Sequence, residues 1–333
     1  MIDIAIGLRG TGVSLPKQKT SSNALDRELG KREGWLEENC GVRERFVCAE
    51  ETQDELAADA ARQALAEAGI APSAVDFLIF ASAVPKYSIP YTAPLIARHL
   101  GISGGGCATL DVNSTCLSFL SGFDIAASMI AAGRYRCALV VASEIASRAL
   151  PWQTDPATAG LFGDGAAAAV LTRPEPNQAS HIRAVRFETY HEAYEACSLA
   201  AGGTGIDFHR EPERFAAGSV FQMNGRELFR LTADKFPGFV EALLDAAGWT
   251  RDSVDVVVPH QASPFALSHL VKRCGFAREK VVDIVATYGN QVAASIPTAL
   301  HIARKQQRIS RGSRIILLGT SAGVSFGGVA IEI

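Results

Sequence analysis

Ala64-Leu-Ala-Glu-Ala-Gly69 and Val75-Asp-Phe-Leu-Ile-Phe80 are two neighbouring segments whose pattern recurs 179 positions later in the chain. The second copy reads Leu243-Leu-Asp-Ala-Ala-Gly248 and then Val254-Asp-Val-Val-Val258. In each copy, the pattern predicts a helix that ends at a glycine and leads into a buried strand. Because both segments repeat in the same order and at one spacing, they indicate an internal duplication.

The duplication extends into the later part of each half. A predicted helix after Cys116 leads into a strand at 137–142. A predicted helix after Asn290 leads into a strand at 314–318, about 177 positions further on. The two spacings are nearly the same, as expected for two copies of one unit that have acquired small insertions.

The predicted strands are apolar runs without polar alternation, which is typical of central strands covered by helices on both faces. The chain is therefore expected to form an α/β fold of two similar halves packed together. Their boundary is predicted near residue 175, where Thr172-Arg-Pro-Glu-Pro-Asn-Gln178 is polar and rich in proline. Residues 1–175 would form the N-terminal half and residues 176–333 the C-terminal half.

Composition excludes several classes of function. The chain has 333 residues, 48% of them hydrophobic and 20% charged, with a net charge of −3 and no run of basic residues, so we expect no nucleic-acid partner. We find no signal-peptide pattern at the N-terminus and no apolar run of about 18 residues, so we expect a cytoplasmic protein that does not span a membrane.

The cysteines and the acidic turn of the first half do not predict a metal site. The seven cysteines are scattered and include no Cys-x-x-Cys pair, a usage that fits reduced thiols. Gly163-Asp-Gly165 lacks the spacing of a phosphate-binding or dinucleotide-binding loop. A turn before a strand at 166–171 is the favoured interpretation.

Cys116 is the candidate nucleophile, since it lies in Asp111-Val-Asn-Ser-Thr-Cys-Leu-Ser-Phe-Leu-Ser-Gly122 at the predicted start of a buried helix. A helix N-terminus stabilises a nearby thiolate, which is the form of cysteine that attacks a carbonyl carbon. The alternative is a small core residue. The equivalent position in the second half is near Ala293, so the duplication directs two matching helix starts toward one region.

His260 and Asn290 are the other candidates for this region. His260 directly follows the predicted strand at 254–258, and Asn290 precedes the second matching helix. Both side chains donate hydrogen bonds, and two donors aimed at one oxygen stabilise an enolate or a tetrahedral oxyanion. The alternatives are a helix-capping role for His260 and a left-handed turn residue for Asn290 after Gly289.

At these positions the sequence resembles the β-ketoacyl carrier-protein synthase III type of condensing enzyme, within the thiolase superfamily. The resemblance covers nearly the whole chain and implies the thiolase fold, a duplicated α-β-α-β-α layered architecture, and a homodimer. Its motifs are Trp35 with Cys40-Gly-Val-Arg-Glu-Arg45, the turn around Cys116, Leu161-Phe-Gly-Asp-Gly-Ala166, Pro259-His-Gln-Ala262 and Tyr288-Gly-Asn-Gln-Val-Ala-Ala-Ser-Ile-Pro297.

The resemblance implies a two-step reaction in fatty acid biosynthesis. Cys116 takes an acyl group from a thioester, and the N–H groups of Cys116 and Ala322 form the oxyanion hole. His260 and Asn290 then bind the thioester oxygen of a malonyl donor while it loses carbon dioxide and attacks the acyl-cysteine. The implied substrates are acyl-CoA and malonyl-CoA or malonyl carrier protein, with acyl carrier protein as a candidate partner and no metal or organic cofactor.

The chain departs from the family pattern around the predicted substrate tunnel. The initiating members carry arginines at the tunnel mouth where this chain has Asn39, Pro156 and Phe265; Arg226 and Arg273 are candidate replacements. Those arginines meet coenzyme A phosphates or the acidic carrier protein, so the loss of three charges counts against ordinary carrier docking.

A second departure concerns the acyl pocket. Initiators often place phenylalanine where this chain has Ile89, reaching across the dimer into the pocket, so we expect a primer longer than acetyl; the alternative is that Ile89 packs the dimer interface. Relatives that join two long acyl chains use a glutamate there, which Ile89 cannot replace. The resemblance also assigns substrate contacts to Trp35, Phe229 and Ser263.

Two other functions remain open at this stage. A non-condensing acyltransferase of secondary metabolism would use the same acyl-cysteine, but the presence of both His260 and Asn290 favours condensation. A non-catalytic partner subunit of a heterodimeric synthase would be expected to have a damaged set of site residues. Cys116, His260 and Asn290 are all present.

Overall fold

A computed structural model of the chain describes residues 2–175 and 180–333. Residues 176–178 of the predicted boundary segment lie outside the described residues, and the division at residue 175 stays a prediction. The strands are β1 (Ile4–Ser14), β2 (Gln18–Ser21), β3 (Glu44–Val47), β4 (Phe77–Ala81), β5 (Ala108–Val112), β6 (Cys137–Glu144), β7 (Gly165–Thr172), β8 (Ser180–Thr189), β9 (Cys197–Ser198), β10 (Gln222–Met223), β11 (Val256–Pro259), β12 (Arg314–Ser321) and β13 (Ser325–Glu332).

The helices surround and separate these strands, and no described helix is long and apolar enough to cross a bilayer. They are α1 (Ser22–Glu28), α2 (Trp35–Cys40), α3 (Gln53–Ala68), α4 (Ala93–His99), α5 (Ser118–Ala131), α6 (Pro156–Ala159), α7 (Pro212–Gly218), α8 (Gly225–Ala247), α9 (Pro264–Cys274), α10 (Val285–Tyr288) and α11 (Ser295–Lys305).

The strand pairing repeats between the halves. The large sheet has the order β11-β12-β13-β8-β1-β7-β6-β4-β5. In the first half, β4 pairs in parallel with β5 and β6, while β7 is antiparallel to β6 and β1. In the second half, β11 pairs in parallel with β12 and, through a bridge from Val257, with Val281, while β13 is antiparallel to β12 and β8. This match is the duplicated architecture that the sequence predicts.

Alternate residues of each strand contact different helices, which produces five layers. Ile79 and Val258 pack with α5 and α11 in a core between the two halves of the sheet. Leu78 packs on the opposite face with α3, and Val257 packs with α8. The order is therefore α-β-α-β-α, and the apolar character of the strands follows from their burial on both faces.

Both helices of the opening repeat end as the sequence predicts. Gly69 ends α3 at φ 67°, and Gly248 ends α8 at φ 70°, both in the left-handed region. A side chain is unfavourable in this conformation, so glycine allows each helix to stop and the chain to turn into the next strand. The repeated glycine therefore reflects a repeated backbone requirement.

Candidate active site

Two turns with the same hydrogen bonds form the floor of the site. In the first, Asn113 Oδ1 accepts from the N–H of Thr115 at 2.9 Å, and in the second, Asn290 Oδ1 accepts from the N–H of Val292 at 2.9 Å. Thr115 and Val292 take φ values of 50° and 48°, which are uncommon for residues with a side chain. The turns lie 177 positions apart, so the duplication has preserved an unusual backbone.

The next residues of each turn also correspond. Ser118 Oγ accepts from the N–H of Ser114 at 2.9 Å, and Ser295 Oγ accepts from that of Gln291 at 3.0 Å. Each serine begins a central helix, α5 or α11. Cys116 is at the same place in the first turn as Ala293 is in the second, in a short 3-10 helix directly before the α-helix.

The bonds of the second turn fix the orientation of Asn290. Its Oδ1 is held by Val292, and its Nδ2 donates to the carbonyl of Ala262 at 3.3 Å. Because Nδ2 carries both N–H groups of the amide, the second of them is the group that Asn290 offers to a ligand. The side chain therefore acts there as a donor rather than an acceptor. The left-handed-turn interpretation of Asn290 is wrong, since Gly289 and Val292 have the positive φ values.

Cys116 is half-buried, and its thiol is less acidic than its position at a helix start predicts. Burial raises the pKa of Cys116 to about 12, with further increases from Cys197 and Glu144. The N–H groups of Cys116 and Ala322 lower the pKa but do not offset the burial. The thiol is therefore protonated at neutral pH in the free chain, and the helix start contributes N–H groups more than it contributes acidity.

Alkylation of Cys116 should report this protonation directly. We expect the rate with iodoacetamide to be low at pH 7 and to rise about tenfold per pH unit up to at least pH 9, because the thiolate fraction rises by that factor below the pKa. Peptide mass spectrometry would assign the label to Cys116 and not to another cysteine. A rate that is flat between pH 6 and pH 8 would contradict the raised pKa.

Ala322 lies between β12 and β13, against the first turn. Its carbonyl accepts from Thr115 Oγ1 at 3.4 Å, and its N–H faces the sulfur of Cys116 together with the N–H of Cys116 itself. Two backbone donors therefore converge beside the candidate nucleophile. This is the arrangement that stabilises an oxyanion formed on a carbonyl attached to the sulfur.

His260 follows β11 directly and is 6% exposed. Burial lowers its pKa to about 4, so the imidazole is neutral at pH 7, and Nδ1 has no hydrogen-bond partner among the described residues. Gly319 makes room for it, since a Cβ at Gly319 would lie 2.6 Å from the Cβ of His260. The capping interpretation of His260 is wrong, because Ser263 caps α9 by accepting from the N–H of Ala266 at 3.1 Å.

The backbone brings these candidates to one place. A Cβ at Gly319 would lie 3.4 Å from Leu117, the neighbour of Cys116, as well as beside His260. Ala262, two residues after His260, accepts from Asn290. The cysteine, the histidine and the asparagine thus surround the carboxyl ends of β11 and β12, where ligands of α/β sheets bind.

The predicted substrate contacts lie at the starts of α2, α8 and α9 and in the segment before α4. Trp35 begins α2 with Lys31 Nζ 5.0 Å from its ring centroid, and Ser263 uses its oxygen as a helix cap. Phe229 is 52% exposed and contacts the edge of His269. Arg226 is exposed at the start of α8, and Ile89 is 89% exposed. Their roles stay predictions.

Sequence reasoning missed two residues beside the site. Asn113 is at the same place as Asn290, 177 positions earlier, so the offset could have identified it. Glu144 is a buried carboxyl whose pKa is raised to about 8 by burial. Of Gly163-Asp-Gly165, Gly165 is already the first residue of β7, so the strand begins one residue before the predicted 166–171. Asp164 lies directly before that strand, and its carboxyl accepts from the N–H groups of Cys48 and Ser147.

Comparisons with known proteins agree with this geometry. A family model described as 3-oxoacyl-[acyl-carrier-protein (ACP)] synthase III matches residues 110–190, and the C-terminal model of the same synthase matches residues 244–333. The β-ketoacyl-[acyl-carrier-protein] synthase III of Rhizorhabdus wittichii is 34% identical, over 97% of this chain and 98% of that relative.

Solved structures show the same fold. The 3-oxoacyl-[acyl-carrier-protein] synthase III of Aquifex aeolicus has a TM-score of 0.88 at 32% identity, covering 98% of this chain and 100% of that one. A variant of OleA from Xanthomonas campestris has a TM-score of 0.88 at 26% identity, covering 100% of this chain and 99% of that one.

Fold and site together define an acyl-transferring condensing enzyme of thiolase architecture. More closely, the chain belongs to the β-ketoacyl-[acyl-carrier-protein] synthase III family. The resemblance seen in the sequence and the expected fold are thereby confirmed. The comparisons favour neither a non-condensing transferase nor a non-catalytic partner subunit.

Proposed function

We propose that this chain forms an acyl-cysteine at Cys116 and condenses it with a malonyl thioester to give a β-ketoacyl thioester. The observation that carries the proposal is the pair of matching turns, one of which holds a cysteine beside two backbone donors while the other holds Asn290 near His260. The test is to measure whether carbon dioxide is released only when both an acyl donor and Cys116 are present.

In the first step, the sulfur of Cys116 attacks the carbonyl carbon of an acyl thioester. The oxyanion that forms accepts hydrogen bonds from the N–H groups of Cys116 and Ala322, and its collapse expels the donor thiolate. That thiolate takes up the proton released by Cys116, so the step consumes no other reactant. Each donor of such an oxyanion hole typically contributes roughly a hundredfold or more in rate.

In the second step, His260 and Asn290 donate to the thioester oxygen of the malonyl group. Loss of carbon dioxide leaves an enolate whose negative charge lies on that oxygen, and its carbon attacks the acyl-cysteine. The bond to Cys116 breaks, and the sulfur regains a proton from solvent. A neutral imidazole suits this role, because burial keeps His260 neutral at neutral pH while it can still donate a hydrogen bond.

The substrates carry the reacting groups, so we assign no metal or organic cofactor to the reaction. We propose acyl-CoA as the acyl donor and a malonyl group on coenzyme A or acyl carrier protein as the extender. Arg226 and Arg273 are exposed cations on α8 and α9 that could meet a phosphate. We place the reaction in the reducing cytoplasm, since all seven cysteines are free.

A homodimer is part of the proposal. Strand β5 is at one end of the sheet order, and its Leu110 is 39% exposed. The segment before α4 adds Tyr87 and Ile89, which are 55% and 89% exposed. An edge strand beside exposed apolar side chains favours pairing with a second copy of the chain, which would bury this patch.

Ile89 then predicts the length of the primer. If Ile89 enters the acyl pocket of the partner, wild-type protein should acylate faster from C6 to C10 acyl-CoA than from acetyl-CoA. The variant Ile89→Phe fills more of the pocket and should shift the preference toward C2 to C4 by about tenfold, the order for one or two methylenes in a tight pocket. An acetyl preference in the wild type would contradict this prediction.

A further inference from the structure

Glu144 is a buried carboxyl that the proposed reaction does not use. It is the last residue of β6 and is 3% exposed. Its Oε1 accepts from the N–H of Ala83 at 2.7 Å, and the N–H groups of Ala293 and Val84 also face the carboxyl and lower its pKa against the opposing effect of burial. One carboxyl thus accepts a hydrogen bond from Ala83 and faces two further backbone N–H groups, one of them from a separate segment.

The duplication shows what is unusual about this position. Strands β6 and β12 each have eight residues, and the residue equivalent to Glu144 at the end of β12 is Ser321. The residue equivalent to Ala293 is Cys116. In the first turn, the N–H of Cys116 faces its own sulfur, whereas in the second turn the N–H of Ala293 faces Glu144. The carboxyl of Glu144 therefore faces the N–H that corresponds to one of the two donors of the oxyanion hole.

Ala83 connects this carboxyl to the first turn as well. Its N–H donates to Glu144, and its carbonyl accepts from Asn113 Nδ2 at 2.8 Å. Asn113 in turn accepts from Thr115, the residue before Cys116. Ala83 also begins the segment that leads to the exposed Ile89. Glu144 is thus a shared contact of the second turn and of the segment that supports the first.

We propose that Glu144 is a positioning residue for the condensation step, holding the turn of Asn290 in place through the N–H of Ala293. The inference rests on the proposed function. The first turn keeps bonds that do not involve Glu144, from Asn113 to Thr115 and from Ser118 to Ser114. The second turn would lose the carboxyl that faces the N–H of Ala293, a fully buried residue three positions after Asn290.

The variant Glu144→Gln tests this inference. The comparison is made at pH 9, above the Glu144 pKa of about 8, where the carboxylate has two acceptor oxygens. The amide of the variant has one acceptor oxygen, and its NH2 group would oppose at least one of the three N–H donors. We expect carbon dioxide release by pre-acylated enzyme to fall roughly tenfold to a hundredfold, the range for a reacting group displaced by about 1 Å. The rate of Cys116 acylation by acyl-CoA, followed by intact mass, should change by less than about threefold.

Asp76, which precedes β4 and contacts the opposite end of β6 from Glu144, provides the matched control. Asp76 accepts from the N–H groups of Arg136 and Cys137 at 2.9 Å, at the start of β6. Asp76→Asn should lower the thermal midpoint and leave the ratio of the two half-reactions unchanged. Glu144→Asp keeps a carboxyl group and should retain more of the condensation rate than Glu144→Gln. It keeps the test available if Glu144→Gln does not fold.

Two outcomes overturn the inference. If folded Glu144→Gln loses both half-reactions by one factor, or retains both, Glu144 does not position the condensation step. Wild-type protein separates this failure from that of the proposed function. If acylated wild-type protein releases carbon dioxide and unacylated protein does not, the proposed function stands and only the role of Glu144 is overturned. If acylated wild-type protein releases no carbon dioxide, the proposed function itself is overturned.

Discussion

Cys116→Ser should abolish acyl-enzyme formation, with a fall of roughly 10⁴-fold or more, as for loss of a catalytic nucleophile. Burial already raises the pKa of the thiol to about 12, and a serine hydroxyl at the same place would be far less acidic. The pKa of His260 is about 4, so the imidazole is a weak base and would not rescue the hydroxyl. Intact mass spectrometry after incubation with acyl-CoA measures the loss.

Cys197 provides the control for this substitution. It lies close enough to Cys116 to raise the pKa of the nucleophile, and burial raises its own pKa to about 12. We expect Cys197→Ala to retain acylation within about tenfold, because Cys197 lies in the short strand β9 and no pair of backbone donors from the described part of the chain faces its sulfur. Acyl transfer to Cys197 in the Cys116→Ser protein would contradict the assignment of the nucleophile.

The second large effect should separate the two half-reactions. His260→Ala and Asn290→Ala are each expected to lower condensation by roughly 10²- to 10³-fold, since each removes one donor to the enolate oxygen. Acylation should remain within about tenfold, because its oxyanion is held by the N–H groups of Cys116 and Ala322. Quenched-reaction assays that measure the amount of acyl-enzyme and the amount of carbon dioxide over time give the two rates independently.

Asn290→Asp sharpens this test. Aspartate keeps an oxygen to accept from Val292, so the turn is retained, but the other oxygen would face the developing enolate in place of an N–H donor. We expect condensation to fall at least as far as in Asn290→Ala. Equal condensation rates in Asn290→Asp and wild type would show that Asn290 acts through its turn and not through its amide.

The repeated part of the fold is predictable because local patterns produce it. Gly69 and Gly248 end helices for a reason that a sequence reveals, and the apolar strands follow from burial on both faces. The matching turns at Asn113 and Asn290 also follow the spacing of the repeat. One unit with its own hydrophobic pattern and turn residues has been used twice.

The electrostatics of the site could not be predicted in the same way. Cys116 stands at a helix start, which favours the thiolate, yet desolvation by the surrounding halves has the larger effect. The contact between Glu144 and Ala293 joins segments that are far apart in the chain, and it exists only because the two halves pack together. Phe229 and Arg226 are exposed on α8, and their predicted roles depend on ligands and partners, which a pattern of residues does not define.

The central claim is that acylation of Cys116 is followed by decarboxylative condensation. We would measure carbon dioxide release and product mass for wild type and Cys116→Ser, with acyl-CoAs from C2 to C12 and with malonyl-CoA or malonyl carrier protein. The account predicts release that requires both an acyl donor and Cys116, with a β-keto product two carbons longer than the primer. Stable acylation of Cys116 with no carbon dioxide and no extended product from any malonyl donor would contradict it.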